Sequence, residues 1–187
     1  MKVIQLNRNG KNLIKKAKKQ DREAQHLIYE IHAPKMLSVC RYYIKDVQVA
    51  ESVMLKGFFK VFTKIDQFRE EGSFEGWIRR IMVREAISHI RSNKRIEYSI
   101  EEVKSPHETT NNIEVSMGVE QIQAIIDELP EGYKMVFVMY AIEGYKHQEI
   151  AEILGISEST SKTQLFKARK MLQDKIKMLN TTSYGTN

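Results

Sequence analysis

Apolar residues in the first half of the chain fall into successive helical stripes, three and four positions apart. "DREAQHLIYEI" sets Ala24, Leu27, Ile28 and Ile31 on one face. Pro34 then breaks or restarts the helix, since a proline ring is tolerated in a first turn and clashes further in. "KMLSVCRYYI" carries the pattern on with Leu37, Cys40, Tyr43 and Ile44. A third helix, "AESVMLKGFFKVFTKI", is rich in aromatic residues at Phe58, Phe59 and Phe62. "DQFREEGSF" reads as a loop, with Gly72 as its turn and Ser73 as the N-cap of the next helix. That fourth helix, "FEGWIRRIMVREAISHIRSNKR", turns Phe74, Trp77, Ile78 and Ile81 inward.

Periodicity then fails. Residues 93–117 are polar, contain Pro106 and a "TTNN" cluster, and read as a flexible linker. Fully extended, it reaches at most about 80 Å, or about two turns of DNA at roughly 34 Å each. Helical spacing resumes in "VEQIQAIIDEL", with Val119, Ile122, Ile125 or Ile126, and Leu129. "PEGY" opens another helix, "KMVFVMYAIE". In "HQEIAEILG" the apolar positions are Ile150, Ala151, Ile153 and Leu154, and Gly155 supplies a sharp turn. Ile156 anchors that turn and Ser157 caps a last helix, which buries Leu165, Ala168, Leu172, Ile176 and Leu179.

The pattern gives an all-α chain of two helical domains, 1–92 and 118–180, with the linker between them and a short tail over 181–187. Nine Gly and three Pro in 187 residues fit helices better than a loop-rich β fold. No apolar run approaches the ~20 residues of a membrane span. The basic first residues lack the apolar core of a secretory signal. A lone Cys40 cannot form an internal disulfide, and reads as a small packing residue. These features place the protein in the cytoplasm, with no membrane insertion.

Charge sharpens the picture. Residues 77–95 hold six Arg or Lys against the single acid Glu85, and residues 157–178 hold six against Glu158 and Asp174. Between them, residues 101–131 hold eight acids and one Lys104. Either basic segment alone reads as a solvated helix face; the pair points to two places that meet a polyanion. In the last helix Ser159, Thr160, Lys162, Thr163 and Lys167 lie opposite the buried stripe. These types reach phosphates and base edges from the first turns of a recognition helix. A helical hairpin with a lysine face is the competing reading of this stretch. Ser161 occupies a position that often holds an apolar residue, where its hydroxyl can bond back to a backbone carbonyl.

The stretch "LPEGYKMVFVMYAIEGYKHQEIAEILGISESTSKTQLFKARKMLQ" resembles the fourth domain of bacterial extracytoplasmic-function sigma factors nearly throughout. Its "TSK" matches the style of members from Bacteroidetes-type bacteria. "AQHLIYEIHAPKMLSVCRYYIKD", "FFKVFTKIDQF" and "EGSFEGWIRRIMVREAISHIR" resemble the second domain of the same family. The resemblance implies a protein that binds core RNA polymerase and gives it promoter specificity. Its second domain docks on the clamp helices of the largest subunit, opens the minus-10 element and captures a flipped base. Its fourth domain reads the minus-35 element in the major groove and touches the polymerase flap. An anti-sigma factor is a further partner the family implies.

Carried over, minus-10 capture falls on Arg69, Ser73, Phe74 and Trp77, with Arg79, Arg80 and Arg84 tracking the backbone. An unstacked base needs hydrogen-bonding groups and an aromatic wall; Trp77 is equally expected to serve the core. Minus-35 readout falls on Ser159, Thr160, Lys162, Thr163, Phe166 and Lys167, with the helix start at Ser157 facing a phosphate. Lys167 stands where many members have Arg, so a point charge replaces a bidentate fork. Glu51 matches the family's clamp-binding pattern, whereas Ser52, Leu55 and Lys56 replace its expected acids and amide. Arg84 stands where the family has an Asn.

An enzyme is disfavoured. His26, His32, His89, His107 and His147 are scattered, none pairs with Cys40 at metal-like spacing, and no glycine-rich phosphate loop is present. Neither metal nor cofactor is expected, and His147 reads as a capping or surface residue. The alternatives are a helix-turn-helix regulator that binds DNA without polymerase, usually as a dimer at symmetric half-sites, and a polymerase-binding or anti-sigma-bound protein of weak initiation activity.

Overall fold

The computed structural model describes residues 3–97 and 119–183, with side chains over 10–92 and 121–179. The expectations for 98–118 and 184–187, and for the side chains of Lys94, Arg95 and Val119, lie outside the described residues. Every element among those described is helical. The chain forms two compact units, residues 1–102 and 103–187.

The first unit holds α1 (Val3–Lys18), α2 (Arg22–Tyr43), α3 (Val47–Thr63), a 3-10 turn (Ile65–Gln67) and α4 (Phe74–Glu97). Short polar caps start the helices. Asp21 accepts from the Ala24 N–H at 2.9 Å and Asp46 from the Val49 N–H at 3.0 Å, each satisfying one orphan donor of a first turn. Pro34 does not break α2, which runs through it as one helix of 22 residues. Burial on both sides of the proline, by Ile28 before it and Met36, Val39 and Cys40 after it, outweighs the one missing hydrogen bond. α4 reaches Glu97, so helix occupies the first residues of the stretch expected as linker.

The core of this unit is where α2, α3 and α4 meet. Val53, Met54, Phe58 and Val61 of α3 are buried with Ile78, Met82, Val83, Ala86 and Ile87 of α4. The expected inner face of α4 is therefore rotated: Ile78 is buried, but Phe74, Trp77 and Ile81 are only partly covered. Leu27 and Ile31 are exposed, and Phe59 is 71% exposed. Helical spacing marks an apolar stripe without saying whether a neighbour covers it.

The second unit holds α5 (Val119–Asp127), α6 (Glu131–Phe137) running into a π-helical turn (Val138–Ile142), α7 (His147–Leu154) and α8 (Glu158–Ser183). Ile125, Ile126 and Leu129 are buried together with Met135, Val136, Val138 and Met139, Ile150 of α7, and Leu165, Ala168 and Leu172 of α8. Ile122, Ile176 and Leu179, expected in this core, are exposed. The last two lie where the 26-residue α8 outruns the short helices that cover it.

Candidate nucleic-acid interface

In the second unit, α7 and α8 make the helix-turn-helix. Gly155 closes α7 in the left-handed region at φ 68° and ψ 38°, donating its N–H to the Ala151 carbonyl at 2.8 Å, as an αL cap requires. Ser157 caps α8 as expected: its Oγ accepts the Thr160 N–H at 3.0 Å and lies within 2.8 Å of the Ser159 and Thr160 hydroxyls. The helix start is thus a knot of three hydroxyls, which ties down the first turn.

Ser159, Thr160, Lys162, Thr163, Phe166 and Lys167 are all exposed along α8, and Phe166 is 70% exposed. An aromatic ring this bare among lysines lies on a surface that something apolar or stackable can cover. Besides Ser159 and Thr160, held by Ser157, three of these side chains have partners within the chain. Thr163 Oγ1 donates to the Ser159 carbonyl at 3.0 Å. Lys162 pairs with Glu158 at 2.7 Å, one turn back. The Lys167 ammonium stands 5.9 Å from the Tyr133 ring centre. The Lys162 hydrogen bond, followed by its charge, holds the Glu158 carboxyl below the usual range. Lys170, one turn beyond Phe166, and Arg169, whose guanidinium lies over Tyr140 at 5.6 Å, extend the same basic surface and were missed as site residues. The run of "KAR" and Lys170 was the available signal.

Ser161 does not bond back to a carbonyl. It is fully buried, and its Oγ lies 2.9 Å from Nδ1 of His147. His147, half-buried, is accordingly a tie between α7 and α8 as well as a partly exposed residue.

In the first unit, the loop before α4 and the first turns of α4 enclose a pocket of about 320 Å³. Arg69, Ser73, Trp77 and Arg80 all line it. The other three expected residues do not. Phe74 borders a different cavity, of about 790 Å³, beside α1 and α2, and stacks on Trp77 at 5.7 Å and 17°. Arg84 is exposed one turn beyond Arg80 on the same side of α4, and Arg79 lies a residue away from that row, partly buried. Phe68 is the residue missed. It is buried, packs edge-on to Phe74 at 5.0 Å and against Trp77 at 5.7 Å, and walls both cavities. A phenylalanine inside an otherwise polar loop was the signal. The pocket therefore has an aromatic wall backed by a second and third ring, two guanidinium groups at its edge and a hydroxyl. Glu71 also lines it, so two guanidinium groups and one carboxylate share its edge.

On α3, Glu51, Ser52, Leu55 and Lys56 are all exposed and share one side of the helix with Phe59. Phe59, in the aromatic run of this helix, points away from the core. It stands one turn from Leu55 and Lys56, making an apolar centre with a charged border, the make-up of an interaction surface.

Comparisons with known proteins agree across both units. The sigma-70 region 2 pattern matches residues 28–96 and the sigma-70 region 4 pattern matches residues 119–172. The chain is 29% identical over 185 residues to the ECF RNA polymerase sigma factor SigW of Bacillus subtilis, covering 90% of this chain and 97% of that one. It is 25% identical over 180 residues to the ECF RNA polymerase sigma-E factor of Haemophilus influenzae, covering 89% and 95%. The fold is similar to that of the sigma factor RpoE from Bartonella quintana, crystallised with the anti-sigma factor NepR, at a TM-score of 0.58 and 18% identity over 81% of this chain and 96% of that one. It is also similar to CnrH in complex with the cytosolic domain of CnrY, at a TM-score of 0.50 and 18% identity, covering 89% and 96%. Two sigma-70 regions in chain order, and relatives matched along almost their whole length, make the chain a member of the sigma-70 family, an ECF RNA polymerase sigma factor.

Proposed function

We propose that the chain binds core RNA polymerase in the cytoplasm through the exposed side of α3 and reads promoters with two separate surfaces. The α3 contact uses Glu51, Ser52, Leu55 and Lys56, with Phe59 at its centre, against the clamp helices of the largest subunit. The pocket before α4 captures an unstacked base of the minus-10 element. Trp77, held by Phe68 and Phe74, gives the stacking face; Ser73 and Arg69 give hydrogen bonds; Arg80 and Arg84 follow the strand. The exposed side of α8, from Ser157 to Lys167, enters the major groove of the minus-35 element. There Lys162 and Lys167 act as point charges, and Thr160, Thr163 and Phe166 face the base edges. The second unit also touches the polymerase flap.

The observation that carries this reading is the half-open aromatic pocket bounded by guanidinium groups. A helix-turn-helix regulator that works on duplex DNA alone has no use for a cavity fitted to an unpaired base. The Bartonella sigma factor is in complex with an anti-sigma factor, and CnrH with the cytosolic domain of CnrY. We extend an anti-sigma partner to this chain on that likeness.

Co-elution with core RNA polymerase on size exclusion tests the reading, with Glu51→Lys as the variant. One-to-one binding that the variant weakens supports it. No binding by the intact, folded chain would move the regulator reading to the front.

A further inference from the structure

We propose that Lys18 and Lys11 of α1 are positioning residues for minus-10 recognition, because they set the backbone of the loop that carries Arg69 and Ser73. The inference rests on the reading of the pocket before α4 as the base-capture site.

Beyond the buried Phe68, residues 69–73 of the loop are all exposed. On one side lies the 320 Å³ pocket and on the other the 790 Å³ cavity between α1 and α2, with Phe68, Gly72 and Ser73 lining both. A segment with empty space on each face is fixed by few contacts and moves easily unless it is tied. Its backbone is also strained: Glu70 adopts a φ of +60° and Gly72 one of +93°, the first unfavourable for a residue with a side chain.

Two contacts from α1 hold it. Lys18 Nζ donates to the Phe68 carbonyl at 2.9 Å, across 50 residues of sequence. Lys11 faces the Glu70 carboxylate at 3.8 Å. The loop alternates, with Glu70 on the α1 cavity and Arg69 and Glu71 on the base pocket. Pinning Phe68 and Glu70 from behind therefore fixes which way Arg69 points in front. The Lys18 bond is partly buried and charge-assisted, the stronger of the two. The Lys11 pair is exposed and weaker.

The test uses holoenzyme made from core polymerase and the full chain. Its probe is a minus-10 single strand selected from a randomised pool on the wild type, alongside the same strand with an abasic site at each position. The penalty for the most damaging abasic site measures base capture. Lys18→Met should shrink that penalty roughly tenfold while leaving core binding unchanged. Lys18→Arg, which can still reach the carbonyl, should restore it. Lys15→Met removes the same charge from an exposed position on α1 and should change nothing. The inference is overturned if Lys15→Met matches Lys18→Met, since bulk charge then explains both. An unchanged penalty in Lys18→Met overturns it too, as does a loss accompanied by weaker core binding. Arg69→Ala and Trp77→Ala separate the two levels. If they abolish the penalty and Lys18→Met does not, only the positioning role fails. If they leave it intact, the base-capture reading fails, and this inference with it.

Discussion

His147 Nδ1 and Ser161 Oγ stand 2.9 Å apart, joining the first residue of α7 to the first turn of α8. Ser161 is fully buried, and the imidazole stacks on Tyr140 at 4.5 Å and 22°. The π turn, α7 and α8 thus meet at one polar node. A directional bond contributes to the angle between the two helices, where an apolar residue at 161 would leave it to shape alone.

This node should appear as a coupling energy. In a double-mutant cycle of His147→Leu and Ser161→Ala, we expect about 1 kcal/mol of non-additivity, read from hydrogen exchange of the α7 and α8 amides in the full chain. Strict additivity would mean that the bond contributes nothing to the unit.

A second polar contact is buried deeper. Lys134 Nζ lies 2.5 Å from Asp127 Oδ1, with the two side chains 7% and 4% exposed, and Gln123 also donates to that carboxylate oxygen at 3.2 Å. Desolvation makes such a pair a weak source of net stability and a large liability when halved. Asp127→Ala should cost the second unit about 3–5 kcal/mol, and Asp127→Leu with Lys134→Met should cost less than either single change. The same exchange measurement decides it. A double variant worse than both singles would contradict the desolvation argument.

These two contacts also mark what the sequence left hidden. The helix order, the turn at Gly155 and the cap at Ser157 were legible, because they depend on local spacing and local chemistry. Four of the seven residues that the family resemblance assigned to the minus-10 element line one pocket. Partners across elements were not legible. Nothing local says that Ser161 faces His147, or that Lys134 in an amphipathic stretch is buried against Asp127. The apolar stripe of α2 misled for a related reason. Leu27 and Ile31 border a cavity instead of a packed neighbour, and Phe59 of α3 is exposed. Pro34 misled because a propensity rule of about 3 kcal/mol competes with the burial of four side chains.

Cys40 gives a pH-dependent prediction. Burial, with a smaller contribution from the Glu85 charge, pushes its thiol up to about 12. Below pH 9 the thiol is protonated in both states and has no effect. Above it, the unfolded chain loses the proton and the native chain keeps it, so the thiol subtracts stability as pH rises. The slope approaches 1.4 kcal/mol per pH unit until about pH 12. Relative to wild type, Cys40→Ala should therefore gain stability between pH 9 and pH 11, measured by urea unfolding. At pH 8 the folded protein should resist iodoacetamide, which needs the thiolate. Rapid alkylation of the native protein would show that Cys40 is accessible after all.

The last prediction concerns the recognition helix. Lys162 is occupied by Glu158 at 2.7 Å, and a carboxylate at the entry of α8 also repels a phosphate. Glu158→Gln removes both obstacles, so it should tighten binding of the holoenzyme to minus-35 duplex a few-fold, and more at low salt than at high. Lys162→Ala with Lys167→Ala should act oppositely, lowering the salt slope of binding by about 0.9 for each phosphate no longer neutralised. Affinity should fall by much the same factor for every sequence, because a lysine ammonium on a phosphate carries no base information. Thr163→Ala should instead change the preference among sequences with little effect on the slope, since its hydroxyl carries no charge and, while donating to the Ser159 carbonyl, can still accept from a base. Fluorescence anisotropy across a salt series, on minus-35 duplexes differing at single base pairs, separates the two behaviours. A lysine pair that altered sequence preference and spared the salt slope would reverse the assignment of α8's charged residues to the backbone.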